Sequence, residues 1–273
     1  MKKVEEKLNI FIHFNTIIKT MKIGFPNHPR KNVLEEIDWI GRNGFDFIDL
    51  FLEADQAAPE KINIPQAQRL LQKYGLDTVG HTPWYLPIGS PERTYREFAV
   101  SEAKRYFHVF SQLNVPYVTI HGNWPPKLFS VQEGIHFQKE TLIELVHEAK
   151  MFNLQIVYEP MDTPLDTIEN VSELLEGVPG LFLHLDIGHA NLFGRKPAQF
   201  VQHFHKKLRH VHLHDNDGNR DLHLPMGAGS IDWEALIRVL KIYYNGTITL
   251  EIFSREWEHV LFSRERLITL WKS

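Results

Sequence analysis

Cysteine is absent from the 273 residues, so the chain has neither disulfides nor thiolate metal sites, and any metal ion must be held by His, Asp or Glu. An excess of one charge is also missing. Thirty Lys and Arg against 34 Asp and Glu leave a formal net charge of -4, which offers no global attraction for a polyanion and argues against nucleic acid as a partner. No apolar run is long enough to cross a membrane. No Pro-, Gly- or Ser-rich linker or block of like charge divides the chain, so 273 residues with 43% hydrophobic content are expected to build one large core.

The first twenty residues differ from the rest. Residues 1–7 are highly charged, 8–18 mix apolar and polar side chains, and His13, Asn15 and Thr16 interrupt them. Glu5 and Glu6 and the lack of a small-residue cleavage site argue against a signal peptide. Residues 1–20 are therefore expected to be an N-terminal extension outside the fold, with the domain at 21–273 and a cytoplasmic location.

From Met21 onward, short β-rich runs alternate with longer helical patterns. The runs cover 22–25, 45–52, 77–82, 117–121, 154–159, 181–186, 210–214 and 247–252. Helical patterns fall at 33–43, 65–74, 91–113, 131–152, 167–176, 197–207, 233–243 and 256–271, and Asn32, Ser90, Ser130 and Asp232 are placed as N-caps. Eight strand–helix units predict an α/β fold, a single (β/α)8 TIM barrel, with an open doubly wound sheet as the alternative.

The densest chemistry lies between His210 and Trp233. Period-2 alternation puts His210, His212 and His214 on one face of a strand, and a polar loop with Asp221 and His223 follows. Other strands end in matching residues: His81, His121, Glu159, Asp186 with His189 shortly after, and Glu251. Any one of these histidines alone reads as solvated or core-satisfied. Six consecutive strands ending in His or carboxylate are poorly explained by stability, because barrel interiors prefer branched apolar side chains and unpaired buried charge is costly. At the C-terminal mouth, where barrel enzymes place their chemistry, the set suits a divalent ion such as Zn2+, Mn2+ or Co2+.

Together these motifs, over 21 to about 273, resemble the xylose-isomerase-like barrel superfamily, which includes sugar isomerases, sugar epimerases and endonuclease IV. The resemblance to the isomerase and epimerase branch implies a metal held by Glu159, Asp186, His212 and Glu251, with His189 contacting substrate. The resemblance to endonuclease IV implies up to three ions, with His81, His121, His189, Asp221 and His223 as additional ligands. The surrounding segments, Tyr158-Glu-Pro-Met-Asp162 and Asp186-Ile-Gly-His189, depart from the endonuclease pattern. Residues 212–233 look more like proteins grouped as sugar phosphate isomerases or epimerases.

The expected function is therefore a metal-dependent isomerase or epimerase acting on a small-molecule sugar or sugar phosphate through a metal-stabilised enediolate. Glu159 and Glu251 shuttle the proton, His189 and His214 hold hydroxyls, and Trp84, Trp124 and Phe25 wall the pocket. The alternatives are a multinuclear zinc phosphodiesterase acting on abasic DNA, and a non-catalytic sugar- or metal-binding barrel. His184 points inward one layer below the site as a supporting or core residue, Arg220 and Arg255 near the mouth read either as phosphate contacts or as ordinary loop arginines, and Asp215, Asn216 and Asp217 cap or turn the loop. Homo-oligomerisation is left open.

Overall fold

The computed structural model describes residues 21–273; the expected extension at 1–20 lies outside them. Among the described residues, eight strands run in parallel and close into a barrel in chain order: β1 Lys22–Pro26, β2 Phe47–Phe51, β3 Asp77–His81, β4 Tyr117–His121, β5 Gln155–Glu159, β6 Phe182–Asp186, β7 Leu208–Leu213 and β8 Thr247–Leu250. The open-sheet alternative is excluded by the pairing of β1 with both β2 and β8.

Among the described residues eight α-helices form the outer ring: α1 Val33–Arg42, α2 Ile64–Tyr74, α3 Arg93–Gln112, α4 Val131–Met151, α5 Ile168–Gly177, α6 Pro197–Phe204, α7 Trp233–Tyr243 and α8 Trp257–Lys272. Their starts follow from capping chemistry. Ser130 and Glu133 form a reciprocal capping box on α4, Asn32 accepts from Leu34 N–H on α1, and Asp232 accepts from Ala235 N–H on α7. The expectation fails at Ser90. Helix α3 starts at Arg93 with Glu92 at the cap position, and Ser90 Oγ instead accepts from Glu92 N–H at 3.2 Å within the preceding turn. Helix α6 also stops at Phe204, short of the expected 207, and the chain turns there into β7.

Between barrel and helices lies a continuous apolar core that includes Ile37, Ile48, Leu50, Phe107, Phe110, Leu142, Leu174 and Ile248. Fully burying each such side chain contributes about 1.5–3 kcal/mol, so the helix-facing side of the strands supplies the stability. The barrel interior is different. Its lower part is filled by Phe47, whose ring would lie 2.3 Å from a Cβ at position 24, so β1 needs Gly24 there. Above Phe47 the interior is largely polar: Asp49, Thr119, His184, His210, His212 and Thr249 are all fully buried, beside the apolar Val79, Val157 and Phe51.

Two strand ends matter for the site. Strand β7 ends at Leu213, which leaves His214 as the first residue of the long β7–α7 loop, and β8 ends one residue before Glu251. That loop is gathered around Asp215. Its carboxylate accepts from the N–H groups of Asn216 (2.9 Å), Gly227 (2.8 Å) and Ile231 (3.3 Å) and from Trp233 Nε1 (2.8 Å).

Candidate active site

A cavity of about 910 Å³ opens at the C-terminal mouth of the barrel. Its polar lining includes His81, His121, Glu159, His189, Asp221, His223 and Glu251, and Phe25, Phe51, Trp84, Phe253 and Trp257 contribute apolar wall. Parallel strands with inward-facing last residues deliver His81, His121 and Glu159, while the loop after β6 delivers His189 and the loop after β7 delivers Asp221 and His223.

Three groups of donors converge. In the first, Glu159 Oε2 lies 2.9 Å from His121 Nε2, 3.4 Å from His81 Nε2 and 3.2 Å from His184 Nδ1. In the second, Asp186 Oδ1 lies 3.0 Å from His214 Nε2 and accepts from the His189 N–H at 2.9 Å, while Asp186 Oδ2 is 3.8 Å from His212 Nδ1. His212 Nδ1 also meets Glu251 Oε2 at 3.0 Å. In the third, Asp221 Oδ2 lies 2.8 Å from His223 Nε2 and 3.6 Å from His189 Nε2, and Asp221 Oδ1 is 3.4 Å from His214 Nε2.

Burial and charge set the protonation of these groups. Burial opposes ionisation of Glu159, but His184 and His121 outweigh it and hold the carboxyl well below its usual range. Asp186 is likewise held down against burial by His214 and His189. Burial disfavours protonated His212, yet Glu251 and Asp49 raise it well above an ordinary histidine. His189 is raised well above that value by Asp186 and Asp221, again against burial. His223 rises to about 9 because Glu251 and Asp221 outweigh its burial. His81 and His184 are pushed down, chiefly by burial.

The donor set fits a divalent cation. Glu159 Oε2, Asp186 Oδ2, Asp221 Oδ1, His81 Nε2 and His214 Nε2 are buried without a well-directed hydrogen bond. Several of them nonetheless stand within 3–4 Å of one another, as ligands around a shared ion do. Left so, each such group costs about 1–3 kcal/mol. The sets His81, His121, Glu159; Asp186, His189, His214; and His214, Asp221, His223 each place one ligand atom per residue within mutual reach. Nitrogen and oxygen donors in this number suit Zn2+ or Mn2+.

The candidates do not all occupy the surface of the cavity. Glu159 and Glu251 line it, as do His189 and Trp84. Asp186, His212 and His214 are fully buried and do not line it, and His214 stacks on His223 with ring centroids 4.0 Å apart. Trp124 turns away and donates from Nε1 to Asp166 Oδ1 at 3.1 Å. Arg255 lines the mouth, whereas Arg220 is engaged with Asp217 at 2.7 Å. Several acidic residues escaped sequence reasoning, Glu53 and Asp49 among them. Glu53, just past β2, lines the cavity, and burial raises its carboxyl. Asp49 lies inside β2; its one signal was a lone carboxylate between Phe47 and Phe51 on the inward face of an otherwise apolar strand.

A model of the xylose isomerase-like TIM barrel family matches residues 37–269. A crystal structure of a D-tagatose 3-epimerase-like protein superposes with a TM-score of 0.82 at 27% identity, covering 92% of this chain and 97% of that one. An Escherichia coli fructoselysine 3-epimerase is 25% identical over 224 residues, 75% of this chain and 78% of its own length. A probable endonuclease 4 of Aster yellows witches'-broom phytoplasma is 22% identical over 205 residues, 66% of this chain and 70% of its own. The model's match to most of the chain, on a closed eight-stranded barrel with its donors at the C-terminal mouth, places this protein in the xylose isomerase-like TIM barrel family.

Proposed function

We propose that the protein is a divalent-metal-dependent epimerase or isomerase acting on a ketose or a related sugar. One observation carries this reading: Glu159, at the end of β5, and Glu251, just past β8, both line one cavity at whose base His and carboxylate donors converge. The 3-epimerases among the similar proteins support a sugar as substrate.

Glu159, Asp186, His212 and Glu251 would hold the principal ion. Bound there, a divalent cation would draw charge from the carbonyl and neighbouring hydroxyl oxygens of the sugar and so acidify the intervening C–H. One glutamate removes that proton, and the other returns a proton from the opposite side, which inverts the carbon; return to the neighbouring carbon gives isomerisation. His189, held by its Nδ1 against Pro160 O at 3.1 Å, presents Nε2 towards Asp221 at the cavity edge and is placed to hold a hydroxyl. Phe25, Phe51 and Trp257 keep the walls dry, which strengthens every charge interaction inside.

A second reading, phosphodiester hydrolysis, draws on the same structure. His81, His121, Asp221 and His223 supply donors beyond those one ion needs, and a multinuclear centre is the natural use for them.

Incubation of metal-loaded protein with ketoses in D2O separates the two. Deuterium uptake at the carbon beside the carbonyl, abolished in Glu251→Gln, is expected for the epimerase or isomerase. Cleavage of abasic DNA without uptake rejects it in favour of the hydrolase.

A further inference from the structure

Beneath the donor set lies a carboxylate that the chemistry above does not use. Asp49, midway along β2, is fully buried. Its Oδ2 is met by His212 Nε2 at 2.8 Å, Thr249 Oγ1 at 2.9 Å and His210 Nε2 at 3.0 Å, from β7 and β8 across the barrel interior. His210 is tied in turn, through Nδ1, to Thr247 Oγ1 at 2.7 Å.

An ionised carboxylate only accepts, so both imidazoles must carry a hydrogen on Nε2. For His212 that leaves Nδ1 as the atom free to act as a ligand. Nδ1 is also the nitrogen that faces Glu251 Oε2 at 3.0 Å and Asp186 Oδ2 at 3.8 Å. We propose that Asp49 is a positioning residue for the metal centre: by holding the Nε2–H of His212 it sets the tautomer and plane of that ring, so that Nδ1 is presented to the cation beside Asp186 and Glu251. His210 and Thr249 keep the carboxylate itself from turning.

The fold alone does not account for this residue. Taking a carboxylate into a barrel interior costs several kcal/mol, and well-packed apolar residues replace buried ion pairs at no loss or with a gain. Phe47, on the same face of the same strand, shows that this interior takes a large apolar ring one layer lower. A carboxylate behind a ligating imidazole has a chemical return, because it raises the basicity of the nitrogen that faces the ion.

The inference rests on the metal-dependent reading, and the test keeps the two apart. Zn2+ and Mn2+ affinities are measured by competition with a chromophoric chelator in the wild type, in Asp49→Asn, and in Ile248→Val, a packing variant of β8 that controls for lost stability. Asp49→Asn is expected to bind about 10–100-fold more weakly, and Ile248→Val like the wild type. In 15N-labelled, Zn2+-loaded wild type, His212 is expected to show a protonated Nε2 and a metal-shifted Nδ1, a readout that stands even if Asp49→Asn does not fold. Unchanged affinity in Asp49→Asn, or a His212 that binds through Nε2, overturns the positioning role alone. A wild type that binds neither ion overturns the metal reading and the positioning role together.

Discussion

Gly188 lies flat against His214: a Cβ on that glycine would fall 1.9 Å from His214 Cε1 and 2.2 Å from its Nε2. The Asp186-Ile-Gly-His189 turn can bring Asp186 Oδ1 to 3.0 Å from His214 Nε2 only because position 188 has no side chain. Gly188→Ala should therefore push the imidazole out of its slot. Overpacking of this kind costs about 1–3 kcal/mol, which chemical denaturation of the metal-free protein would register, and divalent-ion affinity should fall with it. A variant with wild-type stability and affinity would show that the turn yields more readily than its packing implies.

The long loop after β7 stands on Asp215. Trp233→Phe removes one of its four donors and should cost about 1–3 kcal/mol, while Asp215→Ala, which strands three backbone N–H groups and the indole together, should cost more than that. Because Asp221 and His223 ride on the same loop, Asp215→Ala should also lose activity. Urea unfolding of both variants at unchanged slope, set beside an activity assay, checks the order of the two effects.

Arg195 holds the backbone behind His189. Its guanidinium donates to His189 O at 2.6 Å and to Thr163 O and Asp166 O at 2.9 Å each. Lysine cannot reach three carbonyls with one ammonium in that geometry. Arg195→Lys is expected to raise KM more than it lowers kcat, because His189 lies at the cavity edge and not between the two glutamates. An equal fall in kcat at unchanged KM would place His189 in the proton transfer itself.

Metal loading should release protons. In the metal-free protein His223 is raised to about 9 and His212 well above an ordinary histidine, so at pH 7 both rings are protonated and must lose a proton to bind an ion. For a raised histidine the stabilising contribution is complete below about 6.5 and is lost as pH climbs through the folded value, here about 9 for His223. The metal-free protein should therefore lose stability between pH 6.5 and 9, while apparent metal affinity increases over the same window. Calorimetric titration in buffers of different ionisation enthalpy measures the proton release directly; none at pH 7 would contradict the assignment.

Much of this was legible in the chain. Alternating β and helical runs specify eight units, and a side chain's facing within a strand is a local, period-2 property; that is why His81, His121, Glu159, Asp186, His212 and Glu251 could be assigned to one mouth. Local pattern does not carry depth or partnership. That His214 and Trp124 do not reach the cavity depends on where β7 ends and on a hydrogen bond to Asp166. The pairing of Asp49 with His212 spans 163 positions and exists only because the sheet closes on itself. The sequence by itself determined eight strand–helix units with His and carboxylate side chains at the C-terminal ends of the strands, since period and residue chemistry are readable in one dimension. Only the tertiary structure decided which donors share an oxygen, which line the cavity and which stand behind them, because those contacts depend on closure, stagger and loop packing between residues far apart in the chain.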